Sequence, residues 1–415
     1  MRSALPTAPS LPPLVAPGPE LTVEQVGRFA RHLSLPGIGV EGQRRLAAAR
    51  VLVVGAGGLG SPALLYLAAA GVGTLGVVDD DVVDASNLQR QVLHGTADVG
   101  RAKTASARDA VADVAPAVTV VEHRERLTAA NALEVLRGYD LVLDGADNFA
   151  TRYLVSDAAE IAGVPVVWGG LYRYQGQVAT FWAAPPAGAD GEPQGVTYRD
   201  VFPEPPPAAL APDCATGGVL GALCGTVGSV MATEAIKLIT GAGRTLLGRL
   251  AVYDALDLTW RHLDVRPDPS REPVTALPDD AAYATFCGLG PVGPATMEDE
   301  SVSPAAVAAL RAAAAEGDGV EPYVLDVREP WEVELAAVAG ADLVGLGELL
   351  GPDRDGAVLR VAERAQGRPV HVLCKMGGRA AQAAAVLREE GLPARVIAGG
   401  ILAWSRDVDP SVPAY

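Results

Sequence analysis

The six residues Cys374-Lys375-Met376-Gly377-Gly378-Arg379 set a thiol at the end of an apolar run, Pro369 to Leu373. They close on an arginine where a helical run begins, Ala380 to Glu390. A glycine-containing loop of this length can turn its backbone N–H groups inward as an anion nest, and the following helix adds positive potential. Both effects lower a thiol pKa, so Cys374 is expected to be a thiolate nucleophile, with Arg379 closing the nest. The cradle is small and suits one extra sulfur. The plainer alternative is an inert cysteine buried at a strand end, and the electropositive loop argues against it.

A second chemistry is written around Gly55-Ala56-Gly57-Gly58-Leu59-Gly60, which follows an apolar strand and precedes a helix. Glycines there let the backbone approach phosphates, which the helix N-terminus faces. Asp79, at the end of the next strand, is placed for ribose hydroxyls. The glycine loop alone admits NAD, FAD or ATP, and an NAD-dependent oxidoreductase is the default rival. Arg90, within Ser86-Asn87-Leu88-Gln89-Arg90-Gln91, and Lys103, opening a helix, suit a triphosphate better than a pyrophosphate;. Asp147-Asn148 falls at the carboxyl end of a strand, where an acid could hold Mg2+ against phosphates;. Taken singly, the two cations read as solvated surface groups and Asp147-Asn148 as a helix cap. Their combination with the glycine loop favours phosphate chemistry.

The elements that must position these groups alternate in type. Strands are expected at Arg50–Val54, Thr74–Val78, Ala117–Glu122, Asp140–Leu143 and Val164–Trp168. Helices are expected between them, at 61–70, 100–115, 128–137 and 151–162. That alternation predicts a parallel sheet covered on both faces. Thr22-Val23-Glu24-Gln25 predicts a capping box opening a helix that contains Arg31 and whose apolar positions include Val26, Phe29 and Leu33;. Residues 183–212 read as a Gly- and Pro-rich excursion, 219–241 as a long helix, and 250–254 and 258–263 as closing strands. The pattern lapses across 267–303, expected to be a linker, and a second α/β unit follows from 304 to 415;. Residues 1–20 are expected to form a disordered arm.

Composition excludes several classes. The net charge is −17, which argues against nucleic acid and anionic membrane surfaces;. The Pro- and Ala-rich start lacks the apolar centre of a signal peptide, so a cytoplasmic protein is expected;. The four cysteines, Cys214, Cys224, Cys287 and Cys374, form no Cys-x-x-Cys pair.

These residues together resemble the MoeB/ThiF family of adenylyltransferases, which activate ubiquitin-like sulfur carrier proteins. The resemblance covers about residues 21–266. It rests on Gly55–Gly60, Ser86–Gln91, Lys103, Ala146–Asn148, Phe202-Pro-Glu-Pro-Pro-Pro207 and Cys214-Ala-Thr-Gly-Gly218. The C-terminal unit resembles a rhodanese domain through Asp326-Val-Arg-Glu329, the Cys374 loop and Gly399-Gly-Ile-Leu-Ala-Trp404. The whole is similar to MoeZ-type fusions of carrier activator and sulfurtransferase. The implied fold is a Rossmann-like adenylation domain followed by a small α/β rhodanese domain.

The resemblance implies ATP as substrate, held by Asp79 at the ribose and surrounded by Gly57, Ser86, Asn87, Arg90, Lys103 and Asn148. It implies Mg2+ on Asp147. Arg31 matches an arginine that reaches the phosphates from the other subunit, so a homodimer is implied. Cys214 matches a cysteine that in some family members links covalently to the carrier. The implied partners are a carrier ending in Gly-Gly and a sulfur donor, thiosulfate or a cysteine desulfurase. Many relatives hold a structural zinc with two Cys-x-x-Cys pairs. Here Thr197-Tyr198-Arg199-Asp200 stands in the first place and Glu272-Pro273-Val274-Thr275 near the second, so no zinc is expected;. The expected reaction is adenylylation of the carrier's terminal glycine, then sulfur transfer from a Cys374 persulfide to give a thiocarboxylate.

Overall fold

Val51 to Val54 have no polar side chain to solvate, and all four are buried. A strand of this kind sits between two layers. In the computed structural model, which describes residues 11–187, 194–206, 218–287 and 301–415, it is an interior strand, third from one edge, of an eight-stranded sheet ordered β3-β2-β1-β4-β5-β6-β7-β8. The strands are β1 (Arg50–Val54), β2 (Thr74–Val78), β3 (Thr119–His123), β4 (Leu141–Asp144), β5 (Val166–Tyr172), β6 (Gln175–Phe181), β7 (Arg249–Asp254) and β8 (Thr259–Asp264). From β3 to β5 the pairing is parallel, with Val51 opposite both Leu75 and Leu141. From β5 to β8 it is antiparallel. The expected parallel sheet is therefore extended by three antiparallel strands. β6 went unread because Gly176 and three polar residues break its apolar run. Its β5 partner turns back through Arg173, whose φ of 55° is left-handed.

One face is covered by the helices Gly39–Ala48, Gly60–Ala69, Lys103–Val114 and Gly221–Thr240, which bring Leu46, Leu64, Val111, Val227 and Leu238 into one core. The helix Gly221–Thr240 is long and apolar enough to cross a membrane, but its buried face packs on this sheet and on Gly60–Ala69. The other face carries Ala132–Arg137 and Phe149–Ala162 over an aromatic core of Tyr153, Trp168, Phe181 and Tyr198.

Three expectations need correction. Residues 11–20 are not a free arm: Leu11 and Val15 are buried in the first core, and Leu14 N–H donates to the Leu238 carbonyl. The helix starting at Thr22 has its capping box, but breaks at Phe29 into Val23–Arg28 and Ala30–Leu33. Phe29 alone of its expected apolar face is buried. Residues 267–287, expected as linker, lie on this unit: a helix at Asp280–Phe286 buries Tyr283 in the aromatic core. Its short length and flanking prolines hid it.

The second unit is a five-stranded parallel sheet ordered β11-β10-β12-β13-β9. Its strands are β9 (Ser301–Val302), β10 (Tyr323–Asp326), β11 (Asp342–Leu343), β12 (Val370–Leu373) and β13 (Ala394–Ile397). Helices Arg354–Ala365 and Gly378–Glu389 serve one core, and Pro304–Ala315 and Gly400–Asp407 the other.

Candidate functional site

The two chemistries occupy the two units separately. In the first, the carboxyl ends of β1, β2 and β4 open into a cleft of about 250 Å³. The glycine loop forms its floor. Gly55 has φ +88°, and a Cβ on Gly60 would lie 1.9 Å from the Gly55 carbonyl oxygen. Both positions therefore require glycine for the turn and for the close approach of the helix. Asp79 braces this loop: its carboxylate accepts the N–H of Ala56 at 2.8 Å and of Asp81 at 2.9 Å. Burial raises the Asp79 carboxyl above the ordinary range, against the pull of Lys103 and these two N–H groups. Behind the loop, buried His94 contacts the Ala56 carbonyl through Nε2 and Ser106 through Nδ1. Burial holds that imidazole below its usual value, so it stays neutral at pH 7;.

Of the sequence-predicted residues, Gly57, Asp79, Arg90, Lys103, Asp147 and Asn148 line this cleft together. Lys103 is buried at the start of its helix and donates to Asp81, a largely exposed carboxylate, at 2.8 Å. Asp147 is exposed, while Asn148 also caps the helix Phe149–Ala162 by accepting the Thr151 N–H at 2.9 Å. Asp79, Asp80 and Asp81 gather carboxylate oxygens within 4.8 Å of one another. Ser86 and Asn87 sit in a short helical turn beside the cleft but do not line it, and Arg90 reaches back to the Ser86 carbonyl at 3.1 Å. Arg31 is exposed and does not line its own chain's cleft. Cys214 lies outside the described residues.

Sequence reasoning missed several lining groups. Arg152, buried one turn into its helix, donates to the Ala146 carbonyl at 3.0 Å. Its position four residues after Asn148 was the available signal, since the first turn of a helix after a strand faces the strand ends. Gln91 is buried against the cleft with its Oε1 unpartnered. Deep beneath, burial pushes Asp144 up to about 6 despite the Ala146 N–H it accepts and the nearby Arg152.

At and beside the two places where the resemblance would put Cys-x-x-Cys pairs, the structure holds charge pairs. Arg199 forms a two-pronged pair with buried Asp157, at 2.7 and 2.8 Å. Arg271 does the same with Glu160 and also contacts Asp200. Tyr283 donates to Asp157 at 2.8 Å, and the Arg199 guanidinium lies over the Tyr153 and Phe286 rings.

In the second unit, β12 ends directly at Cys374, which is buried. The Gly377 N–H donates to its sulfur at 3.0 Å. The helix Gly378–Glu389 begins immediately after, as the loop reading required. Gly399 and Gly400 cradle the loop from below. A Cβ on Gly400 would lie 2.3 Å from the Cys374 carbonyl oxygen, which instead accepts the Ile401 N–H at 2.8 Å. Arg379 is gripped by the buried carboxylate of Glu332 at 2.6 and 2.8 Å. Glu332, 47 residues away in the chain, had no local signal.

The comparisons with known proteins agree with this division. Residues 29–274 match the ThiF family and residues 306–407 the Rhodanese-like domain. The chain is 48% identical over 420 residues to "Probable adenylyltransferase/sulfurtransferase MoeZ" of Mycobacterium tuberculosis, covering 98% of this chain and 99% of that protein. It is 49% identical over 273 residues to the "Sulfur carrier protein adenylyltransferase" of Thermus thermophilus, covering 65% of this chain and 98% of that protein. Among solved structures, E. coli MccB with MccA-N7isoASN shares the fold, at TM-score 0.51 and 17% identity, over 60% of this chain and 74% of that one.

Proposed function

The chain belongs to the ThiF family and carries a rhodanese-like domain, and on that premise we propose a two-stage reaction for which it supplies both centres. It is an adenylyltransferase and sulfurtransferase. With ATP it adenylylates the C-terminal glycine of a ubiquitin-like sulfur carrier protein, and a rhodanese persulfide then turns that end into a thiocarboxylate. The observation that carries this reading is the presence, in one chain, of a cation-lined glycine-loop cleft and a separate thiol-and-arginine loop.

In the first stage the carrier's terminal carboxylate attacks the α-phosphorus of ATP, giving an acyl-adenylate and pyrophosphate. A carboxylate resists sulfur nucleophiles, and the adenylate supplies a leaving group. Gly57 leaves room for phosphates to approach the backbone, and Asp79 would receive the ribose hydroxyls. Lys103 and Arg90 would stabilise phosphate charge, each such contact being worth about 3 kcal/mol. The Lys103–Asp81 pair supports this role: a buried cation whose partner is an exposed carboxylate can exchange that partner for a phosphate oxygen. The unpartnered Gln91 oxygen is a further acceptor for a ligand hydrogen. Ser86, Asn87 and Asn148 would complete the nucleotide's surroundings. Asp147 is an exposed carboxylate in the cleft, a hard ligand of the kind Mg2+ takes beside phosphate oxygens, and the bound ion would neutralise phosphate charge;.

In the second stage the outer sulfur of a Cys374 persulfide, loaded from thiosulfate or a cysteine desulfurase, attacks the acyl carbon and expels AMP. The product is an acyl disulfide between carrier and Cys374. A thiolate, from Cys214 or an external dithiol, attacks the Cys374 sulfur and releases the carrier thiocarboxylate. The mixed disulfide left behind is reduced by a dithiol, which supplies the two electrons. Arg379 closes the loop around the transferring sulfur.

Exposed Arg31, absent from its own cleft, supports a homodimer in which it serves the partner's phosphates. A protein that sediments as a monomer at working concentration would contradict this. The charge pairs of Arg199 and Arg271, at and beside the places of the missing Cys-x-x-Cys pairs, support a zinc-free enzyme, and the acidic net charge, unsuited to anionic membrane surfaces, supports a cytoplasmic one;. Stoichiometric zinc in the purified protein would overturn the first point. The activating stage is tested by ATP–pyrophosphate exchange with a panel of Gly-Gly-ended carriers. Exchange that depends on carrier and Mg2+ is expected, and no exchange with any carrier would sink the reading.

A further inference from the structure

The loop cation Arg379 does not stand alone. Glu332, which grips it, is 1% exposed and has every oxygen position committed. Its Oε2 accepts from Arg379 Nη1 at 2.6 Å and from the Glu329 N–H at 3.0 Å. Its Oε1 accepts from Arg379 Nη2 at 2.8 Å and from the Tyr415 hydroxyl at 2.8 Å. That hydroxyl in turn accepts from Arg328 Nη1 at 2.6 Å, so its one proton is committed to Glu332;. Arg328 is fully buried and forked onto Asp326 and the Ala336 carbonyl, which makes it an immovable anchor. Burial alone would raise the Glu332 carboxyl. Arg379, the Glu329 N–H and Tyr415 outweigh it and hold the group ionised below its usual value.

The Tyr415 ring makes a second contact with the loop. The Lys375 ammonium, one residue after Cys374, lies 4.9 Å from the ring centroid, within cation–π range;. Trp331 packs edge-on against the same ring at 6.4 Å. One side chain therefore touches both cations that flank the thiol, Arg379 through Glu332 and Lys375 directly.

We propose that Tyr415 is a positioning residue for sulfur transfer: its hydroxyl fixes Glu332, and thereby Arg379, while its ring fixes Lys375, so that the loop presents two placed cations to an anionic sulfur donor. The inference rests on Cys374 being the sulfur-carrying thiol. Its physical logic is that of an outer-shell ligand, where a group that never meets the substrate sets the geometry of one that does. Without the hydroxyl, Oε1 keeps one partner and the Arg379 fork can tilt. Without the ring, Lys375 is released as well.

The test compares the full-length protein with Tyr415→Phe and Tyr415→Ala by alkylation of Cys374, read on its own peptide by mass spectrometry. Iodoacetate is the anionic reagent and iodoacetamide the neutral one of similar size. The ratio of the two rates should fall by about tenfold in Tyr415→Phe, the scale of one lost charge-assisted hydrogen bond, and further in Tyr415→Ala. In parallel, KM for thiosulfate should rise in Tyr415→Phe while kcat and ATP–pyrophosphate exchange hold. A purely structural role would slow both reagents alike and leave their ratio unchanged, and that result overturns the proposal. The alkylation ratio needs no sulfur transfer. A ratio that falls in the variants, beside wild-type protein that never turns over thiosulfate or a desulfurase-borne sulfur, would contradict the sulfurtransferase reading and leave the positioning role standing.

Discussion

The adenylation cleft collects its chemistry from far apart, with Asp79, Arg90, Lys103, Asp147 and Arg152 delivered by different strand ends and helix starts. The sulfur loop has its nucleophile and its arginine on six consecutive residues. The cleft is also loosely held on its open side, since buried Lys103 rests on a carboxylate that is itself exposed. The loop is tightly held, since Arg379 rests on a carboxylate with no exposure to spare. A cleft must exchange its own ion pairs for those of a large polyanion on every turnover. A loop that carries one sulfur needs its cations fixed in advance. The difference follows from what each site must release.

If the two centres are chemically separate, damage should be separable too, and this gives the largest expected effect. Lys103→Ala should lower ATP–pyrophosphate exchange by about a hundredfold to a thousandfold while thiosulfate turnover by Cys374 is retained. Cys374→Ala should do the reverse. If either substitution silences both assays in folded protein, the comparison between independent centres breaks.

The next effect sharpens the contrast between the exposed and buried charge of the first unit. Asp144 titrates near 6 in the folded protein, against an ordinary value of 3.8. The folded state therefore holds this proton over a window in which the unfolded chain has lost it, and stability falls as pH rises from about 4 to about 6. The loss is about 3 kcal/mol for a shift of this size. Asp144→Asn, which keeps an acceptor for the Ala146 N–H, should remove that slope and stabilise the unit at neutral pH. Urea melts at several pH values would show it, and parallel profiles for the two proteins would refute the assignment.

A smaller effect belongs to the charge pairs of Arg199 and Arg271. Arg199→Met leaves buried Asp157 with only the Tyr283 hydroxyl among these partners, at a cost of about 2 kcal/mol after allowing for the partial exposure of the arginine;. The segment 267–287 should become the first protease-sensitive part of the unit. Addition of a chelator should move neither wild type nor variant, and a chelator-dependent melting temperature would contradict a metal-free clamp.

The same contrast explains what could be read from the sequence. The glycine loop, the Cys374 loop and the turn at Gly399-Gly400 were legible because each is set by neighbours in the chain: a strand end, a φ that favours glycine, a helix start. The parallel part of the sheet was legible for the same reason, as buried apolar runs alternate with helices. Tyr283 reaching Asp157 across 126 residues and Tyr415 reaching Glu332 across 83 were not. Such contacts are made by topology, and no local period or spacing announces them. Residues 11–20 were misread because a Pro-rich segment resembles a disordered one until Leu11 and Val15 find a core to enter.

The central claim, that one chain activates a carrier and then places sulfur on it through Cys374, meets its most direct test in a single incubation. A Gly-Gly-ended carrier is mixed with the protein, MgATP, thiosulfate and a dithiol reductant, with Cys374→Ala in parallel, and the intact carrier is weighed by mass spectrometry. The account predicts a gain corresponding to one oxygen replaced by sulfur, present with the wild-type protein and lost with the variant. An equal gain with Cys374→Ala would contradict it.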